Sequence, residues 1–109
     1  MSLSLDELYR KKIQDMRFNI SCVSANEQEY PIFALFLPEF SPNGNFVSHH
    51  YGQWHHGKSI NILGLDEQGN FYYRCADGSV RYYHHIHKTE TYIANSERAF
   101  LTAIQPKTT

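Results

Sequence analysis

Histidine is the most conspicuous chemistry-bearing residue type in this chain, which contains seven of them. Neutral imidazole is a common zinc ligand. His85 and His87 are two residues apart in a predicted strand, so their side chains would project from one face. A third ligand would come from His55 or His56. The Gly-rich flanks and the Cys-x-x-Cys or His-Glu-x-x-His spacings of metal sites are absent, so we predict no metal and no cofactor. A small metal-binding enzyme or sensor that uses this histidine cluster is the alternative function.

Arginine and tyrosine, two residue types that dominate interface hot spots, alternate along the neighbouring strands. In the predicted hairpin Arg74 lies opposite Arg81, and like charges directly opposite each other are unfavourable. An anionic partner would relieve this repulsion, as would an internal acid such as Asp66 or Glu90, or a different strand register. We predict a face that binds a protein partner, composed of Trp54, Tyr72, Arg74, Arg81, Tyr83 and His85.

Nucleophilic and phosphate-transfer motifs are lacking. Cys22 and Cys75 fall on predicted apolar faces, where burial raises a thiol pKa and lowers its reactivity. No serine lies in a Gly-x-Ser-x-Gly turn, and no Gly-rich phosphate loop is present. We therefore predict that the protein is not an enzyme.

The size and charge of the chain limit the classes of protein to which it can belong. The chain has 109 residues, enough for one domain, and 41% are hydrophobic. With a net charge of -1, the chain lacks the positive field that drives nucleic-acid binding. No apolar run approaches the roughly 18 residues that span a bilayer, and the start of the chain lacks a basic leader region. We expect a cytoplasmic protein with no nucleic-acid or membrane partner, and the oligomeric state stays open.

The first half of the chain predicts a helix followed by strands. Ser4 and Glu7 form a capping box for a helix from Leu5 to about Met16. Its apolar stripe consists of Leu5, Leu8, Tyr9, Ile13 and Met16. Residues 18–23 alternate as a half-buried strand with Phe18, Ile20 and Cys22 facing inward. Residues 30–40 are the most apolar stretch, and the six residues between Pro31 and Pro38 indicate a buried strand.

A loop and a hairpin dominate the second half. Residues 46–58 are predicted as a loop in which Trp54 either anchors a partner or covers one end of the core. Residues 59–65 indicate a strand, and residues 67–70 a turn. Asp77-Gly78 is typical of a two-residue type I′ turn, which would place Cys75 opposite Val80. The predicted inner face then holds Phe71, Tyr73, Cys75, Val80, Tyr82, His84 and Ile86. The predicted outer face holds Tyr72, Arg74, Arg81, Tyr83, His85 and His87.

The end of the chain predicts a second helix. Asn95 or Ser96 would cap it, with Glu97 in the first turn, where the helix dipole favours an acid. Its apolar face would consist of Phe100, Leu101 and Ile104, and Pro106 would end it. The fold class predicted for residues 1–109 is a single α+β domain, with an antiparallel sheet of about four to six strands and the terminal helices packed on one side.

From about Ile60 to Ile104 the chain resembles the SMI1/KNR4, or SUKH, superfamily. Gly69-Asn-Phe-Tyr72 is similar to that family's turn and strand entry, and Asp77 to His84 to its aromatic second arm. Residues 93–101 look like its closing helix. The resemblance implies an α+β binding module, and bacterial members are often immunity proteins that block a partner toxin, commonly a nuclease. The function expected is therefore a non-enzymatic protein-binding module, of the immunity type, whose partner is a protein toxin.

Overall fold

The computed structural model describes residues 3–37 and 61–107. It begins with helix α1, Leu5–Phe18, where the Ser4 side chain accepts a hydrogen bond from the backbone N–H of Glu7. The predicted cap and apolar stripe are confirmed, because Tyr9 is fully buried and the other stripe residues pack against the core. The helix continues two residues beyond its predicted end, so Phe18 belongs to α1 and not to a strand.

A three-stranded antiparallel sheet follows α1, in the order β2, β1, β8. Its strands are β1, Ser21–Ala25, β2, Gln28–Ile32, and the short C-terminal β8, Ile104–Pro106. Asn26 and Glu27 form the turn of the β1–β2 hairpin, with φ angles of 52° and 62°. The predicted inward face of Phe18, Ile20 and Cys22 is wrong, since of these only Cys22 is buried.

A five-stranded antiparallel sheet forms the second layer, in the order β3, β4, β5, β6, β7. The strands are β3, Ala34–Leu35, β4, Asn61–Leu65, β5, Phe71–Arg74, β6, Val80–His84, and β7, Thr89–Ala94. The single buried strand expected between Pro31 and Pro38 is also wrong, since β2 ends at Ile32 and β3 comprises only Ala34–Leu35. The chain crosses at Phe33 from the first sheet, in β2, to the second, in β3.

The β5–β6 hairpin has a longer loop than the predicted two-residue turn. The N–H of Gly78 donates to the carbonyl of Cys75 at 3.0 Å, and the N–H of Cys75 donates to the carbonyl of Ser79 at 2.9 Å. Only Gly78 in this loop has a positive φ, 91°. This is the geometry of a three-residue loop that ends in a glycine bulge. The extra loop residue moves the register by one, so Arg74 and not Cys75 lies opposite Val80.

The shifted register redistributes the aromatic side chains between the two faces of the sheet. Tyr72, Val80 and Tyr82 join the main core beneath the helices. Phe71, Tyr73 and Tyr83 join a second buried cluster, with Ile62. Both faces of β5 are therefore buried, and the predicted division into a core face and a solvent face is wrong. Of the residues assigned to that core face, Ile86 is 70% exposed.

The second helix, α2, Glu97–Ala103, is capped by the Ser96 side chain, which accepts from the N–H of Ala99. It ends before Ile104, because the chain then pairs with β1 as β8 instead of continuing the helix to Pro106. Phe100, Leu101 and Ile104 are nevertheless all buried as expected. Two helices and two antiparallel sheets, all formed by the described residues, enclose the main core, which confirms the α+β class. Neither described helix is long and apolar enough to cross a membrane.

Candidate functional site

Of the residues predicted to bind a partner, those that the structure describes do not form one surface. Tyr72 and Tyr83 are buried, and the Tyr72 hydroxyl donates to the carbonyl of Pro31 at 2.5 Å. Arg74 faces the helices, whereas Arg81 lies opposite Tyr73 on the other face of the sheet. Trp54 lies outside the described residues. The face proposed from the two-residue turn is therefore not formed, because it required a register that the hairpin does not adopt.

The expected repulsion between Arg74 and Arg81 is absent for the same reason. Arg74 is opposite Val80 and forms an ion pair with Glu97 of α2, with 2.5 Å between Nη1 and Oε1. The counter-ion is thus an internal acid, although it is neither of the two acids considered from the sequence. Glu90, one of those two acids, instead accepts a hydrogen bond from the Tyr73 hydroxyl.

The histidines at the end of β6 do not have the positions predicted from the sequence. Strand β6 ends at His84, so His85 and His87 lie in the following turn and do not project from one strand face. The His84 and His87 rings stack with 4.5 Å between their centroids. His85 Nε2 lies 2.8 Å from the carbonyl of Gln68. No group of three potential metal ligands occurs among residues 3–37 and 61–107, and His55 and His56 lie outside them.

An exposed group of large apolar side chains lies where α1 meets the two sheets. Phe18, Ile20 and Phe33, which we call the apolar surface, are 79%, 80% and 65% exposed. They line one depression of about 270 Å³ together with Met16 and Ile32. Clustered exposed apolar groups of this kind mark interaction sites in soluble proteins, whereas scattered single ones do not.

Backbone hydrogen bonds fix the position of each member of the apolar surface. The N–H of Asn19 donates to the carbonyl of Asp15 at 3.1 Å, which ends α1 directly after Phe18. The carbonyl of Ile20 accepts from Lys107 at 2.7 Å, and the N–H of Phe33 donates to Leu65, also at 2.7 Å. The exposure of these side chains is therefore a property of anchored chain segments and not of frayed ends.

The rim of the apolar surface is polar. Arg17 and Glu67 line the same depression, and Lys107 borders a neighbouring one of about 280 Å³ that shares Ile20. An apolar centre with a polar rim is the usual anatomy of a protein interface. Continuing the α1 periodicity past Met16 would have placed Phe18 off the buried stripe, which is the one sequence signal for this surface.

A second candidate site lies at the opposite end of α1, which begins at Leu5. The described residues that line this cleft of about 600 Å³, which we call the arginine cleft, are Leu5, Asn61, Arg74, Cys75, Ala76, Gly78, Ser96, Glu97 and Arg98. Glu97 accepts from Arg74 through Oε1 and from the Tyr9 hydroxyl through Oε2, at 2.5 Å each. Burial, and then the hydrogen bond to Glu97, raise the pKa of Tyr9 far above its ordinary value.

The two cysteines are both free thiols. Cys22 is 3% exposed, and burial followed by a hydrogen bond to Glu29 raises its thiol pKa. Cys22 is therefore buried as expected, and its environment disfavours the thiolate. Cys75 is half-buried and lines the arginine cleft.

Asp66 organises a buried network between β4 and β6. Its carboxylate accepts from the Tyr82 hydroxyl at 2.5 Å, from the Asn70 side chain at 2.9 Å, and from the backbone N–H groups of Gln68 and Asn70. These bonds satisfy the carboxylate within the fold, so the network is structural. Sequence reasoning considered Asp66 only as an internal acid beside Arg74 and Arg81 and missed this role.

Comparisons with known proteins add no relative. No protein-family model, no curated protein and no solved structure matches the chain. Function must therefore be argued from the surfaces described above.

Proposed function

We propose that this protein is a non-enzymatic protein-binding module that docks through the apolar surface. The exposure of Phe18, Ile20 and Phe33 on anchored backbone is the observation that carries the proposal. Aromatic and aliphatic anchors held rigidly at the centre of a patch are the usual source of interface hot spots. A preorganised patch also loses little conformational entropy on binding.

The apolar surface is large enough to contribute substantially to affinity. Fully burying one Phe or Ile side chain yields about 1.5–3 kcal/mol, so three that are now mostly exposed would yield roughly 4–7 kcal/mol. Association itself costs at least about 4 kcal/mol, so a stable complex also needs rim contacts. Arg17, Glu67 and Lys107 are placed to make them. The partner expected is a protein whose surface offers an apolar recess bordered by charged groups.

We further propose that the module is an immunity-type protein of the SMI1/KNR4 superfamily. The support is the resemblance of residues 60–104 to that family. Its mechanism would be occlusion, in which the rigid domain covers the substrate-binding surface of a partner toxin. An immunity gene is expected beside its toxin gene, so the protein encoded by the neighbouring open reading frame is the first partner to test.

The test compares the affinities of two variants for that neighbouring protein by isothermal titration calorimetry. One variant replaces Phe18, Ile20 and Phe33 with Ser, and the matched control is Ile86→Ser, which removes an apolar side chain that is 70% exposed in a turn. We expect the triple variant to bind at least about 100-fold more weakly, since hot-spot truncations cost about 2 kcal/mol or more each. The control should bind as the wild type does.

Two results would reject the proposal. One is equal affinity of the triple variant and the wild type, with circular dichroism showing that both are folded. The other is a wild-type dimer that the triple substitution converts to monomer, because the surface would then be a contact between copies of this chain. Sedimentation velocity distinguishes that case.

A further inference from the structure

The arginine cleft is separate from the proposed docking surface. Leu5, the first residue of α1, borders the cleft, whereas Met16 and Phe18 border the apolar surface at the other end of the helix. A helix of 14 residues is about 21 Å long at 1.5 Å per residue. The two sites share no described lining residue, so each can be altered without changing the other.

Among the described residues that line the cleft, cationic side chains outnumber anionic ones. Two guanidinium groups, Arg74 and Arg98, line it, together with one carboxylate, Glu97. Glu97 already accepts from Arg74 and Tyr9. Asp77, in the adjoining turn, directs its Oδ1 to the N–H and hydroxyl of Ser79 at 2.9 and 2.6 Å. Glu97 and Asp77 are thus hydrogen-bonded to internal partners.

The two arginines are held in place while remaining accessible. The Arg74 side chain is 39% exposed, although its Nη1 is fixed by Glu97. Arg98 Nη1 donates to the carbonyl of Leu3 at 2.8 Å, and Arg98 is otherwise exposed. Each guanidinium has five N–H donors in a planar fork that matches an oxyanion, so donors remain after these single bonds. Positioned but accessible guanidinium groups suit anion recognition.

The remaining walls suit a small organic molecule. A volume of about 600 Å³ lies within the range of small-ligand sites. Leu5 and Ala76 supply apolar contact, and Asn61 and Ser96 supply further hydrogen-bonding groups. Gly78 has open space where a Cβ would point, so the hairpin loop does not fill the cleft.

We propose that the arginine cleft binds a small organic anion through an oxyanion group, a carboxylate or a phosphate, held by Arg74 and Arg98. The apolar part of the ligand lies against Leu5 and Ala76. This assignment is independent of the protein-binding function, because it rests on charge and shape at the other end of α1.

Alkylation of Cys75 reports occupancy of the cleft directly. Cys75 lines the cleft, whereas Cys22 is 3% exposed and serves as an internal reference for intact folding. The folded full-length chain is treated with iodoacetamide, a neutral reagent, in inorganic phosphate, succinate or chloride at matched ionic strength, and mass spectrometry follows each thiol. A bound anion slows Cys75 alkylation by a factor of 1 + [L]/Kd, where [L] is the concentration of free anion. About 10 mM anion with a Kd of about 1 mM should therefore slow the reaction about tenfold.

Arg98→Gln tests the role of the guanidinium, because Arg98 is exposed and lies outside the Tyr9–Glu97–Arg74 hydrogen bonds. Its control is Arg10→Gln, an exposed arginine of α1 paired with Asp6 at 2.9 Å. We expect Arg98→Gln to raise Kd about tenfold, since a charge-assisted bond is lost, so that about 10 mM anion slows Cys75 alkylation only about twofold. Arg10→Gln should leave the protection unchanged.

The phosphate and succinate arms decide which oxyanion is preferred, and protection by either supports the proposal. Equal alkylation rates in both anions and in chloride would overturn it. Protection that Arg98→Gln leaves intact would overturn it as well. Neither result depends on partner binding, so failure here is distinguishable from failure of the docking proposal.

Discussion

Glu97 joins α1, β5 and α2, and replacing it with Ala should destabilise the fold more than an ordinary surface change does. The side chain is 10% exposed and accepts from the fully buried Tyr9 hydroxyl and from Arg74. In Glu97→Ala the Tyr9 hydroxyl loses its acceptor inside the protein. Arg74 can still be hydrated, because 39% of its side chain is exposed.

The expected decrease in the free energy of unfolding can be summed from these contacts. An unsatisfied buried hydroxyl costs about 1–3 kcal/mol. A partly exposed ion pair contributes no more than about 1 kcal/mol after solvent screening, and an acid in the first helical turn contributes about 0.3–1 kcal/mol. We expect the free energy of unfolding to fall by about 3 kcal/mol, which lowers Tm by roughly 15 °C for a domain of this size.

A double-mutant cycle with Tyr9→Phe isolates the hydroxyl contact. Tyr9→Phe alone should cost about 1 kcal/mol, since Glu97 keeps Arg74. In the Tyr9→Phe background, Glu97→Ala should cost about 1.5 kcal/mol less than in the wild type, because no hydroxyl is then orphaned. Urea unfolding followed by circular dichroism gives each free energy. The control is Glu7→Ala, an exposed acid in the first turn of α1 that should be additive with Tyr9→Phe. Additive effects of Tyr9→Phe and Glu97→Ala would refute the proposed network.

Two further predictions concern pH and the first hairpin. Burial raises the pKa of four tyrosines far above the ordinary value of 10.0, namely Tyr9, Tyr72, Tyr73 and Tyr82. Above pH 10 only the unfolded chain then releases these four protons. The free energy of unfolding should therefore keep its full value below pH 10 and fall by up to about 5 kcal/mol per pH unit above it. Tyrosinate absorbance that rises to its full extent while the circular dichroism remains native would contradict this. Glu27→Gly should raise the free energy of unfolding by about 0.5 kcal/mol, because Glu27 has a φ of 62° in the β1–β2 turn. Gln28→Gly, in the adjoining strand, should lower it by about 1 kcal/mol, and a Glu27→Gly chain less stable than the wild type would count against the turn geometry.

Local rules predicted α1 and α2 and their caps. Ser4 and Ser96 accept from N–H groups three residues onward, and the stripe from Leu5 to Met16 faces the core. These features depend on residues a few positions apart, so the sequence contains the information they need. The turn at residues 67–70 is confirmed for the same reason.

Strand register could not be predicted with the same success. Asp77-Gly78 is compatible with a two-residue turn and with a three-residue loop, and a change of one residue alters which side chains share a face. The structure adopts the longer loop, with Gly78 alone at positive φ. That one extra loop residue separates Tyr72, Arg74, Arg81 and Tyr83, which a two-residue turn would have placed on one face.

The sequence by itself determined the α+β class, the helix starts and the apolar positions of the final helix, because these follow from short-range propensity and periodicity. The tertiary structure alone decided which apolar residues stay in water and which charges meet. Phe18 and Ile20 are more apolar than Tyr9, yet they remain exposed because α1 ends and the chain turns into β1 before any described element covers them. The pairing of Arg74 with Glu97 joins residues 23 positions apart, and no local pattern specifies such a contact.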